Sequence, residues 1–206
     1  MEFWNSILTE KSWQILQQLK KEKFSFILIG GWAAFLWTKL HKSKDIDIVI
    51  RNFDDLNYLK ARYALLKNNA LKKYEIKFEE IDIDIYLPFY SKLTIPAEDI
   101  KKYATKIENF EVVKPEALLI LKQGAELDRK DSVKGEKDKI DILTLLFYSE
   151  INFKEYFNIL KHYKLQHFYE RLKTILANFK EINYLNLNPK EFKKKKKEIL
   201  EKLKAK

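Results

Sequence analysis

Hydrophobic and polar positions change rhythm twice along this chain. From Glu2 to Lys20 the apolar residues Phe3, Trp4, Ile7, Leu8, Ile15, Leu16 and Leu19 recur at helical spacing, which predicts an amphipathic helix. Phe24 to Ile29 is an apolar run of strand length that includes Ser25 and is broken by Gly30-Gly31. Trp32 to Leu40 has helical composition, and a β-rich segment around Ile46, Val49 and Ile50 follows. Asn52-Phe53-Asp54 reads as a turn with Asp54 as N-cap. The next helix then runs from Asp55 to about Lys67, with Leu56, Leu59, Tyr63 and Leu66 inward and Asn68-Asn69 as its stop. Tyr74 to Phe78 and Ile81 to Leu87 alternate as strands, the second ended by Pro88. A short helical turn is predicted near Ile95–Asp99, and a strand or hairpin bent at Asn109 over Lys106–Val113.

From Pro115, a residue suited to the first helical position, the rhythm becomes helical throughout. Asp131 to Gly135 is a polar loop. Helices are predicted over Lys137–Tyr148, Phe153–Tyr163, Gln166–Phe179 and Lys190–Lys204. The expected fold is therefore α+β. A short mixed sheet with flanking helices spans residues 1–113, and a helical bundle with a basic last helix spans 114–206.

Against this pattern the acidic residues stand out. A period of two puts Asp45 and Asp47 on one face of their strand, and Asp82 and Asp84 on one face of theirs. Paired carboxylates repel unless a cation sits between them, and hard divalent ions such as Mg²⁺ take such oxygen ligands. The Gly-Gly break lets backbone amides at a helix start approach a ligand, as phosphate binding requires.

Composition narrows the rest. The chain has 206 residues, 46% hydrophobic and 14% aromatic, enough to bury a core. Cysteine is absent, which excludes disulfides and thiolate zinc sites. His41, His162 and His167 have no metal-ligand spacing. The longest apolar run, Phe24 to Trp37, is too short to span a bilayer, and no signal peptide precedes the first helix. A cytoplasmic protein without membrane contact is expected. Of the net charge of +10, six charges come from Pro189–Lys206, with nine lysines against three glutamates. Phe192, Ile199, Leu200 and Leu203 still form a stripe there, so this tail is expected to dock as well as to be solvated. Trp4, Trp13, Trp32 and Trp37 fall in helical patterns and are expected in the core.

Gly30-Gly31, a short helix, then Ser43-Lys44-Asp45-Ile46-Asp47 resembles the signature of the DNA polymerase β-like nucleotidyltransferase superfamily. The resemblance implies transfer of an NMP from an NTP such as ATP to an acceptor hydroxyl, with two Mg²⁺ ions. It implies Asp45 and Asp47 as metal ligands, a third carboxylate on the following strand, and Gly30, Gly31 and Ser43 at the triphosphate. Asp82 and Asp84 both fit the third place. Asp84 is preferred because Asp84-Ile85-Tyr86-Leu87 matches the usual Asp-hydrophobic run, and it would act as metal ligand and general base.

Lys122, Arg129, Lys137, Asp138 and Asp141 resemble the Lys-x6-Arg and Lys-Asp-x-x-Asp pattern of AbiEii/MenT-like nucleotidyltransferases of toxin–antitoxin type. That implies the three cations at the triphosphate and the two aspartates behind them holding the cations; Lys122, among leucines on its helix, is expected to project into a cleft or to snorkel. The same resemblance further implies RNA, such as a tRNA end, as acceptor, and an antitoxin protein as partner. The alternatives are a small-molecule adenylyltransferase of the antibiotic-modifying kind and a nucleotide-binding module without turnover. A domain whose aspartates are only solubility devices, and a helix pair with ordinary salt bridges, are the plain structural readings.

Overall fold

The computed structural model describes residues 6–204, so Phe3 and Trp4 lie outside the described residues. The chain divides into two compact units, Met1–Lys114 and Pro115–Lys206. The first holds α1 (Ser6–Leu19), β1 (Phe26–Ile29), α2 (Gly30–Thr38), β2 (Ile46–Ile50), α3 (Phe53–Arg62) and β3 (Leu66–Asn68). Then come β4 (Lys73–Phe78), β5 (Ile81–Tyr86), a 3-10 segment (Ala97–Tyr103), β6 (Ala104–Ile107) and β7 (Phe110–Val113). The seven strands form one mixed sheet in the order β3-β4-β5-β2-β1-β7-β6. β2 runs parallel to β5 and β1 parallel to β7, while β1 is antiparallel to β2 and β4 to β5.

Alternation decides which side of the sheet is core. Ile46, Ile48, Ile50, Ile81, Ile83 and Ile85 share one face, and none is more than 1% exposed. The residues between them carry the carboxylates. α1 joins α2 through Trp32, whose indole N–H donates to Ser12 Oγ at 2.9 Å, and through Trp13, 5.0 Å from the Trp32 ring and 5.6 Å from Phe110. Ile7 departs from the predicted apolar stripe: it is exposed, and Thr9 and Ser12 are buried instead. Trp32 is fully buried, whereas Trp13 and Trp37 are half-buried.

Boundaries of α2 and α3 differ from the sequence reading. α2 begins at Gly30 itself, so the two glycines form the helix start rather than a turn before it. α3 is capped by Asn52, not Asp54, because the Asn52 side chain accepts from the Asp55 amide. It ends at Arg62, and the residues after it pair with β4 as the edge strand β3, leaving Leu66 exposed. Edge pairing is a tertiary event that the local apolar period cannot reveal.

The second unit is helical: α4 (Pro115–Asp128), α5 (Val133–Tyr148), α6 (Phe153–His162), α7 (His167–Asn178), a 3-10 segment (Ile182–Leu185) and α8 (Pro189–Lys204). α5 starts before the predicted Lys137, since Ser132 Oγ accepts from the Gly135 amide at 3.1 Å and caps it. α8 buries Phe192, Ile199 and Leu203, with Phe192 against Phe147 and Phe179. Two of its lysines bond backward, Lys195 Nζ to the Phe147 carbonyl and Lys196 Nζ to that of Ala177. The basic tail is thus a docked helix with a solvated outer face.

Candidate active site

The parallel pairing of β2 with β5 sets Asp47 directly opposite Asp84. β4 adds Glu75 opposite Asp84 and Lys77 opposite Asp82. One more step down the same face lies Asp45, just before β2, whose Oδ1 accepts from the Asp82 amide at 3.4 Å and lies 3.5 Å from Lys44 Nζ. The acids predicted from separate strands therefore meet on one face, as two adjacent rows.

The glycines close one side of this cluster. Gly30 has φ +66°, and a Cβ there would fall 2.0 Å from Asp47 Oδ2. A Cβ on Gly31 would fall 2.5 Å from Ser43 Oγ. The residue pair is glycine because the Asp47 carboxylate and the buried Ser43 hydroxyl occupy the volume any side chain would need. Gly30, Gly31, Ser43 and Asp47 are brought together at the first turn of α2.

Lys73, Glu75 and Asn68 complete the cluster and were not foreseen. Lys73 Nζ lies 2.6 Å from Asp84 Oδ2 and 3.1 Å from Glu75 Oε1, and Asn68 Nδ2 donates to Glu75 Oε1 at 2.9 Å. Burial works against the Lys73 ammonium, but its bonds to Asp84 and Glu75 outweigh it and raise its pKa. The Asn68 amide, aided by Lys73, holds Glu75 below the usual carboxylate value. Asp84 goes the other way. Burial first, then the Asp47 charge, pushes it up to about 7 despite Lys73. Tyr74–Phe78 alternation places Glu75 on the polar side, so part of the signal was in the sequence. The β4–β5 register that brings Lys73 to Asp84 was not.

This arrangement fits a divalent cation. Asp84 Oδ1 is buried and has no hydrogen-bond partner, while its other oxygen is held by Lys73. A buried oxygen in that position, facing a second carboxylate across the strand pair, has its electrostatic need met by a cation. Among the described residues no three carboxylate or imidazole groups stand close enough to surround one ion as they are. Asp45 is the outlying member, turned toward Lys44.

The second predicted set also assembles, within the helical unit. Lys122 Nζ on α4 lies 2.6 Å from Asp141 Oδ2 and 3.4 Å from Asp138 Oδ1 on α5, and Arg129 Nε lies 2.7 Å from Asp138 Oδ2. Lys122 was expected to project into a cleft; it is buried and turned onto the two aspartates, which are buried as well. Two carboxylates supply what the desolvated ammonium requires. Arg129 remains partly exposed, with its fork anchored by Asp138. Lys137 is half-buried on α5. α4 carries further buried polar bonds that the sequence did not signal: Arg171 pairs with both oxygens of Glu126, and Tyr156 OH donates to Gln123 Oε1 at 2.7 Å.

No family model matches the chain, and no curated protein matches it. Solved structures with a similar course of the chain include the lincosamide antibiotic adenylyltransferase LnuA bound to lincomycin, 18% identical over 66% of this chain and 94% of that one, with a TM-score of 0.44. An antigenic nucleotidyltransferase-like protein from Paracoccidioides brasiliensis is 15% identical over 87% of this chain and 97% of its own, with a TM-score of 0.44. JHP933 from Helicobacter pylori is 16% identical over 98% of this chain and 95% of its own, with a TM-score of 0.49.

Proposed function

We propose that this protein is a Mg²⁺-dependent nucleotidyltransferase that moves an NMP from an NTP to an acceptor hydroxyl. The observation that carries the reading is the facing pair Asp47–Asp84 beside the glycine start of α2, with one Asp84 oxygen buried and unpartnered. Asp47 and Asp84, with Asp45, would hold the metal, two ions being the number the sequence resemblance implies. Bound Mg²⁺ would neutralise charge on the attacking and leaving oxygens of the phosphoryl group.

The remaining work falls to the chain itself. The amides at the start of α2 and the Ser43 hydroxyl face the triphosphate. Lys73 fixes the Asp84 carboxylate through Oδ2 and leaves Oδ1 for the reacting side. Asp84 Oδ1, aimed at the reacting side, is placed to take the acceptor proton. The acceptor oxygen then bonds to the α-phosphorus, the bond to the bridging oxygen breaks, and pyrophosphate leaves. The Lys122-to-Asp141 sequence pattern is the ground for assigning Arg129 and Lys137 to the triphosphate, and within the second unit Lys122, with Asp138 and Asp141, ties α4 to α5. RNA is the proposed acceptor. A toxin-type role and an antitoxin partner rest on the Lys122-to-Asp141 sequence pattern.

The test is incubation with Mg²⁺, total cellular RNA and each ribonucleoside triphosphate in turn, labelled at the α or the γ phosphate. Label from the α position should enter RNA and label from the γ position should not. Asp47→Asn should lose at least about 100-fold in rate. Wild-type activity in both Asp47→Asn and Asp84→Asn would defeat the reading.

A further inference from the structure

A second cluster, on the edge of the sheet formed by β3, β4 and the end of β5, takes no part in the site above. Tyr74 and Tyr90 pack with ring centroids 5.8 Å apart. The Lys60 ammonium lies 5.4 Å from the centre of the Tyr74 ring, and those of Lys67 and Lys72 lie 5.3 and 5.6 Å from that of Tyr90. None of these three lysines is within ion-pair distance of a carboxylate among the described residues. Lys11, Lys39 and Lys42 on the same unit each have one. Beside them Phe89 is 84% exposed and held at φ +61° by the turn after β5, its amide donating to Glu98 Oε2 at 3.0 Å. A bulky side chain at positive φ with its ring in water is an unfavourable arrangement on both counts.

We infer that this edge is a docking surface for single-stranded RNA, with phosphates on Lys60, Lys67 and Lys72 and an unpaired base stacked on Phe89. The chemistry selects single-stranded nucleic acid, and the acceptor proposed above makes the strand RNA. The tyrosine rings orient ammonium groups that no carboxylate neutralises, which leaves them as point charges for a phosphate backbone. The tyrosine faces carry lysines, so the open ring for stacking is that of Phe89. A base in a duplex has no free face to offer it. The surface shares β4 with the proposed site: Lys73, on Asp84, lies between Lys72 and Tyr74, and the alternation puts Tyr74 and Lys67 on the face of the sheet opposite Lys73 and Asp84. The inference rests on the nucleotidyl-transfer reading for the choice of RNA and for what the bound strand would be used for.

The test is fluorescence anisotropy of a short fluorescein-labelled RNA without self-complementarity, titrated with the full chain at several salt concentrations. Its duplex and the deoxy strand of the same sequence serve as the other arms. Replacing Lys60, Lys67 and Lys72 together with Gln should lower the slope of log affinity against log salt by about 2. Phe89→Ala should weaken binding roughly 5- to 150-fold with the slope unchanged. All four side chains are at the surface, and far-UV circular dichroism confirms that the variants fold. An unchanged slope in the triple variant, or equal affinity for the duplex, overturns the inference, and tighter binding of the deoxy strand overturns the RNA assignment. The Asp47→Asn chain separates the two proposals. RNA binding without transfer in the wild type sinks the reaction and keeps the surface, and transfer that persists without RNA binding does the reverse.

Discussion

Asp84 concentrates the physical tension of this protein. Its ordinary pKa of 3.8 rises to about 7 in the fold, chiefly through burial and then through Asp47. Between those values the folded chain holds a proton that the unfolded chain has lost, so stability falls as pH rises. Thermal denaturation without metal should show Tm declining from about pH 4 to about pH 7. Asp84→Asn should flatten that decline and raise Tm at neutral pH while abolishing transfer. Mg²⁺ should offset the decline in the wild type only. A wild-type Tm that climbs over this range would contradict the burial of a charged Asp84. Lys73 is the positioning residue here. Lys73→Met strands a buried carboxylate and should cost about 3 kcal/mol in denaturant unfolding. It should lower kcat more than it raises KM for the triphosphate, with partial recovery in Lys73→Arg. The period of two made Asp47 and Asp84 visible as candidates in the sequence. Lys73 was not visible, because its role arises from register between strands rather than from spacing within one.

At the scale of elements, the start of α2 is set by close packing. Gly31→Ala places a Cβ 2.5 Å from Ser43 Oγ. The single variant should lose on the order of 2 kcal/mol, and adding Ser43→Gly should return most of it, since the two side chains compete for one volume. Strict additivity in that cycle would show that the contact does not govern the helix start. The α4–α5 pair offers a parallel test. Lys122→Met leaves Asp141 and Asp138 buried with half their compensation, and about 3–5 kcal/mol should be lost by chemical denaturation. Asp141→Asn in the same chain should recover part of the loss. The spacing of Lys122, Arg129, Asp138 and Asp141 was legible because helical periodicity fixes which residues share a face. That Lys122 turns inward was not legible, since a lysine among leucines is compatible with either direction until a facing helix supplies carboxylates.

For the whole molecule, the polar site and the apolar core lie on opposite faces of one sheet. Chelation with EDTA should therefore abolish transfer while leaving far-UV circular dichroism intact, because the isoleucine face does not depend on a cation. Unfolding on chelation would make the metal structural instead. Among the described residues no helix is long and apolar enough to cross a membrane. By itself the sequence determined which segments are strands and helices, β3 excepted, and where the rhythm changes. It also determined which acids share a face, since backbone geometry fixes a period of two or of 3.6 without reference to partners. Tertiary structure alone decided the β2–β5 register that sets Asp47 against Asp84, the edge strand β3, and the ammonium of Lys73 between two acids. Those are contacts between residues far apart in the chain, and the free energy that selects them comes from burying both partners at once, which no local pattern encodes.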